Sequence, residues 1–213
     1  KIEASEYGAT IKFDDAAATT ENGKILQIAT RISGNRFESL GPLIGASLPA
    51  LGKFDLRADV STDGDVHAAR NLQVQIKNNR FSGSARWEDK APRPLLSGKL
   101  SARRLKLSDF KALSKSSFKS GSAGLLDRPL KLDGLKAFDA RLDLTVKDVV
   151  DSPISVSDVK SAITLTNGEL NAPFHASLAG APFKGQIDLR QRNDVSNLSF
   201  NATAGKIDAA QIL

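Results

Sequence analysis

The chain has 213 residues, 40% of them hydrophobic, carries a net charge of +6, and contains no cysteine and no methionine. Without cysteine there is no disulfide framework, thiolate metal site or thiol nucleophile. The length suffices for a sizeable core in one large domain or two small ones, and no apolar run reaches the length of a membrane span.

Lys1 opens directly on a polar segment rather than on a signal-peptide pattern. With no initiator methionine, the chain is expected to be an excised piece of a longer protein. A weak strand is predicted from about Gly8 to Thr20, with Ile11 and Phe13 on one side. Asn22-Gly23 supplies the two positive-φ residues of a type I′ hairpin. The return strand runs from about Lys24 to Ser33, with Leu26, Ile28 and Ile32 inward. A short helix is predicted near 36–46, capped by Asn35 with Glu38 three residues on. Phe37, Leu40 and Ile44 keep its helical spacing.

Phe54, Leu56, Ala58 and Val60 alternate with polar residues, the period-two pattern of a half-buried strand. Asp63-Gly64 marks a second hairpin. Leu72, Val74 and Ile76 form the next strand, and Asn78-Asn79 turns into a third. There Phe81, Gly83, Ala85 and Trp87 alternate with Ser82, Ser84, Arg86 and Glu88. After a loop with Arg93 between two prolines, Leu96, Gly98, Leu100 and Ala102 take up the same alternation. The unit Phe81–Phe110 returns 102 residues later as Phe183–Ile212 without a gap. Phe81 falls on Phe183, Gly83 on Gly185, Trp87 on Leu189 and Leu96 on Leu198. What recurs is the apolar register and the loop length, the mark of a diverged repeat.

Between Arg103 and Lys131 lie eight basic and two acidic residues, which account for the whole charge excess. Ser108 is placed to cap a short helix through Phe110 and Leu113. The Ser-, Lys- and Gly-rich run after it reads as a flexible, solvated linker. The functional alternative is contact with an anionic membrane surface through Arg103, Arg104, Lys106, Lys111, Lys115 and Lys119. The organisation expected is a first β unit over 1–110, a basic connector over 111–131 and a second β unit over 132–213.

The second unit opens on the sharpest alternation in the chain, Phe138, Ala140, Leu142, Leu144 and Val146. A strand near Val156–Thr166, an Asn167-Gly168 hairpin and a return through Leu170, Phe174 and Leu178 follow. The last strands begin at Phe183 and near Leu198, and Asp208 begins a terminal helical turn. The fold class predicted is mainly β: an antiparallel meander of about eleven strands with one apolar face and two or three short helices. It is either curled into a trough or folded as a sandwich, since both need the same alternation.

Chemistry-bearing motifs are sparse. His67 and His175 stand alone, without a second histidine or a carboxylate at metal-ligand spacing. Asp59, Asp63 and Asp65 lack the spacing of a calcium loop. Asp139 and Asp143 have Arg141 between them, which neutralises rather than poises them. No phosphate-binding glycine loop or nucleophile elbow occurs. A nucleic-acid groove interleaves aromatics with basic residues, and only Phe110 and Phe118 lie in the basic stretch. The expectation is a non-enzymatic protein with no metal, no cofactor and no nucleic-acid partner.

An ordered series of short segments resembles the AsmA family of Gram-negative envelope proteins. It runs through Phe37-Glu38-Ser39-Leu40, Gly52-Lys53-Phe54-Asp55-Leu56 and Phe81-Ser82-Gly83-Ser84-Ala85. It continues with Arg93-Pro94-Leu95-Leu96-Ser97-Gly98, Leu105-Lys106-Leu107-Ser108-Asp109-Phe110, Arg128-Pro129-Leu130 and Phe138-Asp139-Ala140-Arg141-Leu142. Asn167-Gly168-Glu169-Leu170 and Phe183-Lys184-Gly185 close it. The resemblance covers about residues 25–213. It implies a periplasmic protein anchored to the inner membrane by an N-terminal helix, acting in outer-membrane biogenesis and lipid homeostasis. It also implies phospholipid or another lipid as ligand. The alternative to a lipid groove is a scaffold with a dry core that binds another envelope protein through its edge strands or the basic connector. Strand alternation assigns the lining of an acyl-chain groove. In the first unit and its junction this is Phe81, Trp87, Leu96, Leu100, Phe138, Leu142 and Leu144. In the rest of the chain it is Leu170, Phe174, Phe183, Ile187, Leu189, Leu198 and Phe200.

Overall fold

The computed structural model describes residues 3–4, 9–13, 26–44, 48, 50–89, 92–110, 136–192 and 195–205. They form one open twelve-stranded sheet in which the strand order is the order of the sequence. The strands are β1 (Glu3–Ala4), β2 (Ala9–Phe13), β3 (Leu26–Gly34), β4 (Phe54–Asp63), β5 (Val66–Ile76) and β6 (Asn79–Glu88). They continue as β7 (Leu95–Lys106), β8 (Asp139–Val150), β9 (Val156–Thr166), β10 (Glu169–Leu178), β11 (Ala181–Arg192) and β12 (Val195–Ala204). The mainly β class stands. The strand beyond the eleven expected is β1, whose two residues are too short to show alternation. The described strands make a single sheet rather than the two facing sheets of a sandwich.

Hairpin turns form where positive φ is available. Gly64, Asn167 and Gly168 all sit there, at the Asp63-Gly64 and Asn167-Gly168 turns. The Asn22-Gly23 turn, the basic run 111–131 and the terminal turn at Asp208 lie outside the described residues.

Every ladder is antiparallel except β7 with β8, which is parallel. The meander is therefore mostly, not wholly, antiparallel. The repeat gives the reason. Phe54 and Val156 begin β4 and β9, and Asn79 and Ala181 begin β6 and β11, each pair 102 residues apart. With β3 and β8 leading them, the halves β3–β7 and β8–β12 have five strands each. An odd meander ends in the direction in which it began. A second unit laid beside the first in the same sense must start parallel to its last strand, and a parallel pair needs a long crossover.

Polar contacts pin this junction at both ends. At the start of β8, Asp139 N–H donates to the Pro94 carbonyl at 2.8 Å. Arg93 donates through Nε to Asp139 Oδ1 at 2.9 Å and through Nη2 to the Phe138 carbonyl at 3.2 Å. Asp139 Oδ1 also accepts the Asn167 N–H at 2.9 Å, tying in the β9–β10 turn. At the other end Ser108 donates to Asp151, and Lys106 lies 3.9 Å from the same carboxylate.

Both described helices are 3-10 turns, Phe37–Ile44 and Leu107–Phe110. The first differs from the expected capping box: Glu38 accepts Arg36 Nε at 2.9 Å, and Ser39 N–H and Oγ both donate to the Arg36 carbonyl. Its Leu40 joins Leu51, Phe54 and Ile76 in a small buried core at one end of the sheet. Phe37 meets Phe54 edge-on at 5.8 Å. The second turn is held by Asp109, which accepts the Asn78 backbone N–H and the side-chain amides of Asn78 and Asn79. Asn79 is fully buried, and its amide oxygen accepts the Lys106 N–H at 2.6 Å. Sequence alone marks Ser108 as a cap; the structure gives the anchoring role to Asp109.

The junction contacts set a measurable coupling. In a double-mutant cycle of Arg93→Ala and Asp139→Ala, urea unfolding is expected to return a coupling of about 1–2 kcal/mol, as for a partly buried charge-assisted hydrogen bond. Additive single effects contradict this account of the junction.

Candidate functional site

Residues opposite one another in a ladder share a face, so the pairings trace rows across the sheet. One row runs His67, Trp87, Leu96, Ala140, Leu165, Leu170, Leu189 and Leu198, from β5 to β12. A second runs Leu72, Gly83, Leu100, Leu144, Ser161, Phe174, Gly185 and Ala202. Between them Gly98, Leu142 and Ile163 are aligned, as are Ile187 and Phe200. Phe81 opposes Val74, and Phe183 opposes Ala176 and Ala204. Phe138 precedes β8, with its ring 5.7 Å from that of Trp87. All the residues expected to line a groove thus fall on one face. The parallel junction does not break the register, because Leu96, Gly98 and Leu100 meet Ala140, Leu142 and Leu144.

Small residues interrupt the large ones at a few places on this face, Gly83, Gly98, Ala140 and Gly185 among them. Gly83 and Gly185, equivalent in the repeat, allow close approach of the next strand. An added Cβ on Gly83 would lie 1.8 Å from the Lys99 carbonyl oxygen, and one on Gly185 2.5 Å from that of Asn201. Phe174 covers Gly185, and its ring lies 5.4 Å from that of Phe183 and 6.0 Å from that of Phe200, the latter pair stacked. Trp87 and Phe138 form a separate aromatic pair near the opposite strand ends.

Burial is incomplete. Of the expected lining residues only Leu189 is buried. Phe81, Trp87, Leu96, Leu100, Phe138, Leu142, Leu144, Leu170, Phe174 and Phe183 are half-buried. Ile187, Leu198 and Phe200 are exposed, Phe200 to 59%. Val146, at 1%, is the most enclosed residue of β8. The expected set omits β9, whose Val159, Ile163 and Leu165 belong to this face. Ser161 interrupts their apolar run, and its Oγ is satisfied by donating to the Pro173 carbonyl at 2.9 Å.

His67 occupies the end of the row that contains Trp87. Its Nδ1 lies 3.1 Å from Thr62 Oγ1 and its Nε2 3.4 Å from Asp89. Trp87 Nε1 donates to Asp89 Oδ1 at 2.7 Å. Sequence spacing misses this carboxylate, because Asp89 reaches His67 across the β5–β6 ladder. The group tethers Trp87 at the sheet end. It lines none of the described cavities. His175 lies on the opposite, polar face between Lys160 and Lys184. Among the described residues no group of three or more His, Asp or Glu side chains is placed to hold a metal ion.

Of the residues expected to meet an anionic surface, Arg103, Arg104 and Lys106 belong to β7. Arg104 pairs in register with Asp148. Lys111, Lys115 and Lys119 lie outside the described residues. No described helix is long and apolar enough to cross a membrane.

The polar face is knitted by carboxylates. Asp55 accepts both Arg31 Nε at 2.8 Å and Arg57 Nε at 3.0 Å. Partial burial opposes its ionisation, but these guanidinium contacts outweigh burial and hold its carboxyl below the ordinary value. Asp188 is held low by the Gln186 and Asn171 amides, and Asp158 by Lys147 and Ser157.

No family model, curated protein or solved structure matches the chain.

The carboxyl shifts fix the direction of an acid limb. Their folded-state values are depressed, so the unfolded chain binds more protons as pH falls, and the stability they contribute is lost below about pH 4. Urea midpoints measured from neutral pH downward are expected to fall there, and Asp55→Asn should flatten the fall. An acid limb as steep in Asp55→Asn as in the wild type contradicts the assignment.

Proposed function

We propose that this chain is the periplasmic part of an inner-membrane-anchored, AsmA-like protein of outer-membrane biogenesis and lipid homeostasis, which without catalysis binds or conducts phospholipid acyl chains on its apolar face. The observation that carries the reading is the continuity of that face: apolar rows cross β5 to β12 while most of their large side chains stay half-buried or exposed. Soluble monomers seldom leave more than a few hundred Å² of contiguous apolar surface open to water. Seven strands at a spacing of about 4.8 Å give the stretch from β6 to β12 a width of about 29 Å. That exceeds one leaflet of a bilayer core, about 15 Å. A fatty acyl chain is short enough to lie across it.

The alternative is a scaffold that binds another envelope protein through its sheet edge. The favouring observation is β12, which ends the strand order and, among the described residues, has no partner strand on its outer side.

Delipidated chain is expected to bind a fluorescent fatty acid. Phe200→Asp should weaken binding by about tenfold or more, the loss expected when a buried aromatic contact is replaced by a charge. Asn201→Asp, on the opposite face, should leave binding unchanged. Phe200 is exposed, so its substitution leaves the fold intact; Leu142→Asp repeats the test nearer the centre of the sheet. A folded Phe200→Asp variant with undiminished probe binding would falsify the groove assignment. Absence of probe binding by the wild type favours the scaffold.

A further inference from the structure

We propose that the polar face carries a second site, an anion-binding concavity on β4–β9 that takes a compact, multiply charged phosphorylated solute. The concavity has a volume of about 770 Å³, within the range of small-ligand sites. Five cations line it, Arg57, Arg80, Arg103, Lys147 and Lys160, against the two carboxylates Asp55 and Asp158. Both carboxylates are already engaged, Asp55 by Arg31 and Arg57 and Asp158 by Lys147 at 2.6 Å. Lys160 stands two residues from Asp158, and among the described residues Arg80, Arg103 and Lys160 make no ion pair. Arg103 and Lys147 lie side by side in the parallel ladder, between the pairs Ala102–Val146 and Arg104–Asp148. Like charges on neighbouring strands destabilise one another, and a bound anion relieves that repulsion.

The floor of the concavity fits the same ligand. The row Gln73, Ser82, Ser101, Thr145 and Lys160 crosses β5 to β9 without a carboxylate. Ser82 and Ser101 hydroxyls are 3.1 Å apart. Hydroxyl donors beneath guanidinium groups match the geometry of phosphate oxygens, which guanidinium grips bidentately. A flat bilayer would meet the rim of a concave patch before its floor. Phe81 is the one aromatic among the lining residues and belongs to the apolar register of β6, so the concavity lacks the series of aromatics on which nucleic-acid bases stack. The charge complementarity therefore favours a small phosphorylated solute over a membrane or a nucleic acid.

The test is calorimetric titration of the whole chain with inorganic pyrophosphate at low and physiological salt. Three proteins are compared: wild type, the double variant Arg80→Gln/Arg103→Gln, and Arg141→Gln. Arg141 is an exposed cation of the same face that does not line this concavity. The expected result is saturable one-to-one binding that the double variant loses by at least about tenfold, as for removal of charge-assisted hydrogen bonds, and that Arg141→Gln retains. Circular dichroism checks that all three are folded. Binding that is absent, or that all three proteins share, overturns the proposal. So does a double variant that loses adsorption to anionic phospholipid vesicles while keeping pyrophosphate affinity, since that assigns the cations to a membrane. The apolar face plays no part, so the outcome is independent of acyl-chain binding.

Discussion

The in-register parallel pairing of β7 with β8 is the constraint on which the rest of the sheet depends. Two five-stranded meanders meet there, and side chains alternate with a period of two. A slip of one residue would turn all five strands of the second unit over. Its leucines and phenylalanines would then continue the polar face, and its charges the apolar one. The register prevents this by setting Leu96 and Leu100 beside Ala140 and Leu144. Arg93 and Asp139 hold one end of the pair, and Asp151 gathers Ser108 and Lys106 at the other. These polar contacts add specificity at the place where apolar packing alone tolerates a shift.

With the register fixed, the two faces divide the chemistry. On one side the apolar rows share close contacts within the sheet yet keep much of their area open, and among the described residues a small buried core forms at the end near the first 3-10 turn. Each Å² of apolar surface left in water forgoes about 25 cal/mol, so an apolar ligand on this face would stabilise the protein as well as be held by it. The other side is a lattice in which Asp55 ties arginines, Asp158 a lysine and a serine hydroxyl, and Asp188 the Asn171 and Gln186 amides. Arg80, Arg103 and Lys160, which make no ion pair among the described residues, are gathered at its carboxylate-free central row. A single-layer sheet exposes both faces to ligands at once, which a sandwich does not.

The apolar face was legible in the sequence because period-two alternation is local. Phe81 to Trp87 and Phe138 to Val146 announce their inward residues without reference to any partner strand. The repeat was legible for the same reason, since Phe81 and Phe183 begin matching alternations. Strand β9 was only half legible: Ser161 breaks its apolar series, and the compensating Pro173 carbonyl belongs to another strand. The parallel junction was not legible, because direction depends on how the chain returns across the connector rather than on any local pattern. Arg93 looked like a loop residue between prolines, and the side chains that accept its hydrogen bonds, Asp139 and Asn167, lie 46 and 74 residues away. The contact between His67 and Asp89, and the gathering of Arg80, Arg103 and Lys160 around one concavity, likewise arise only when distant strands are laid in register.

Acyl-chain contact on the apolar face is tested most directly by photocrosslinking. A phospholipid carrying a diazirine at the end of its acyl chain is bound to the chain, irradiated, and its adducts are mapped by mass spectrometry. The account predicts adducts at Leu142, Phe174 and Phe200 and their row neighbours, and none at the adjacent Arg141, His175 and Asn201. Adducts spread evenly over both sets, or confined to the polar one, would contradict it.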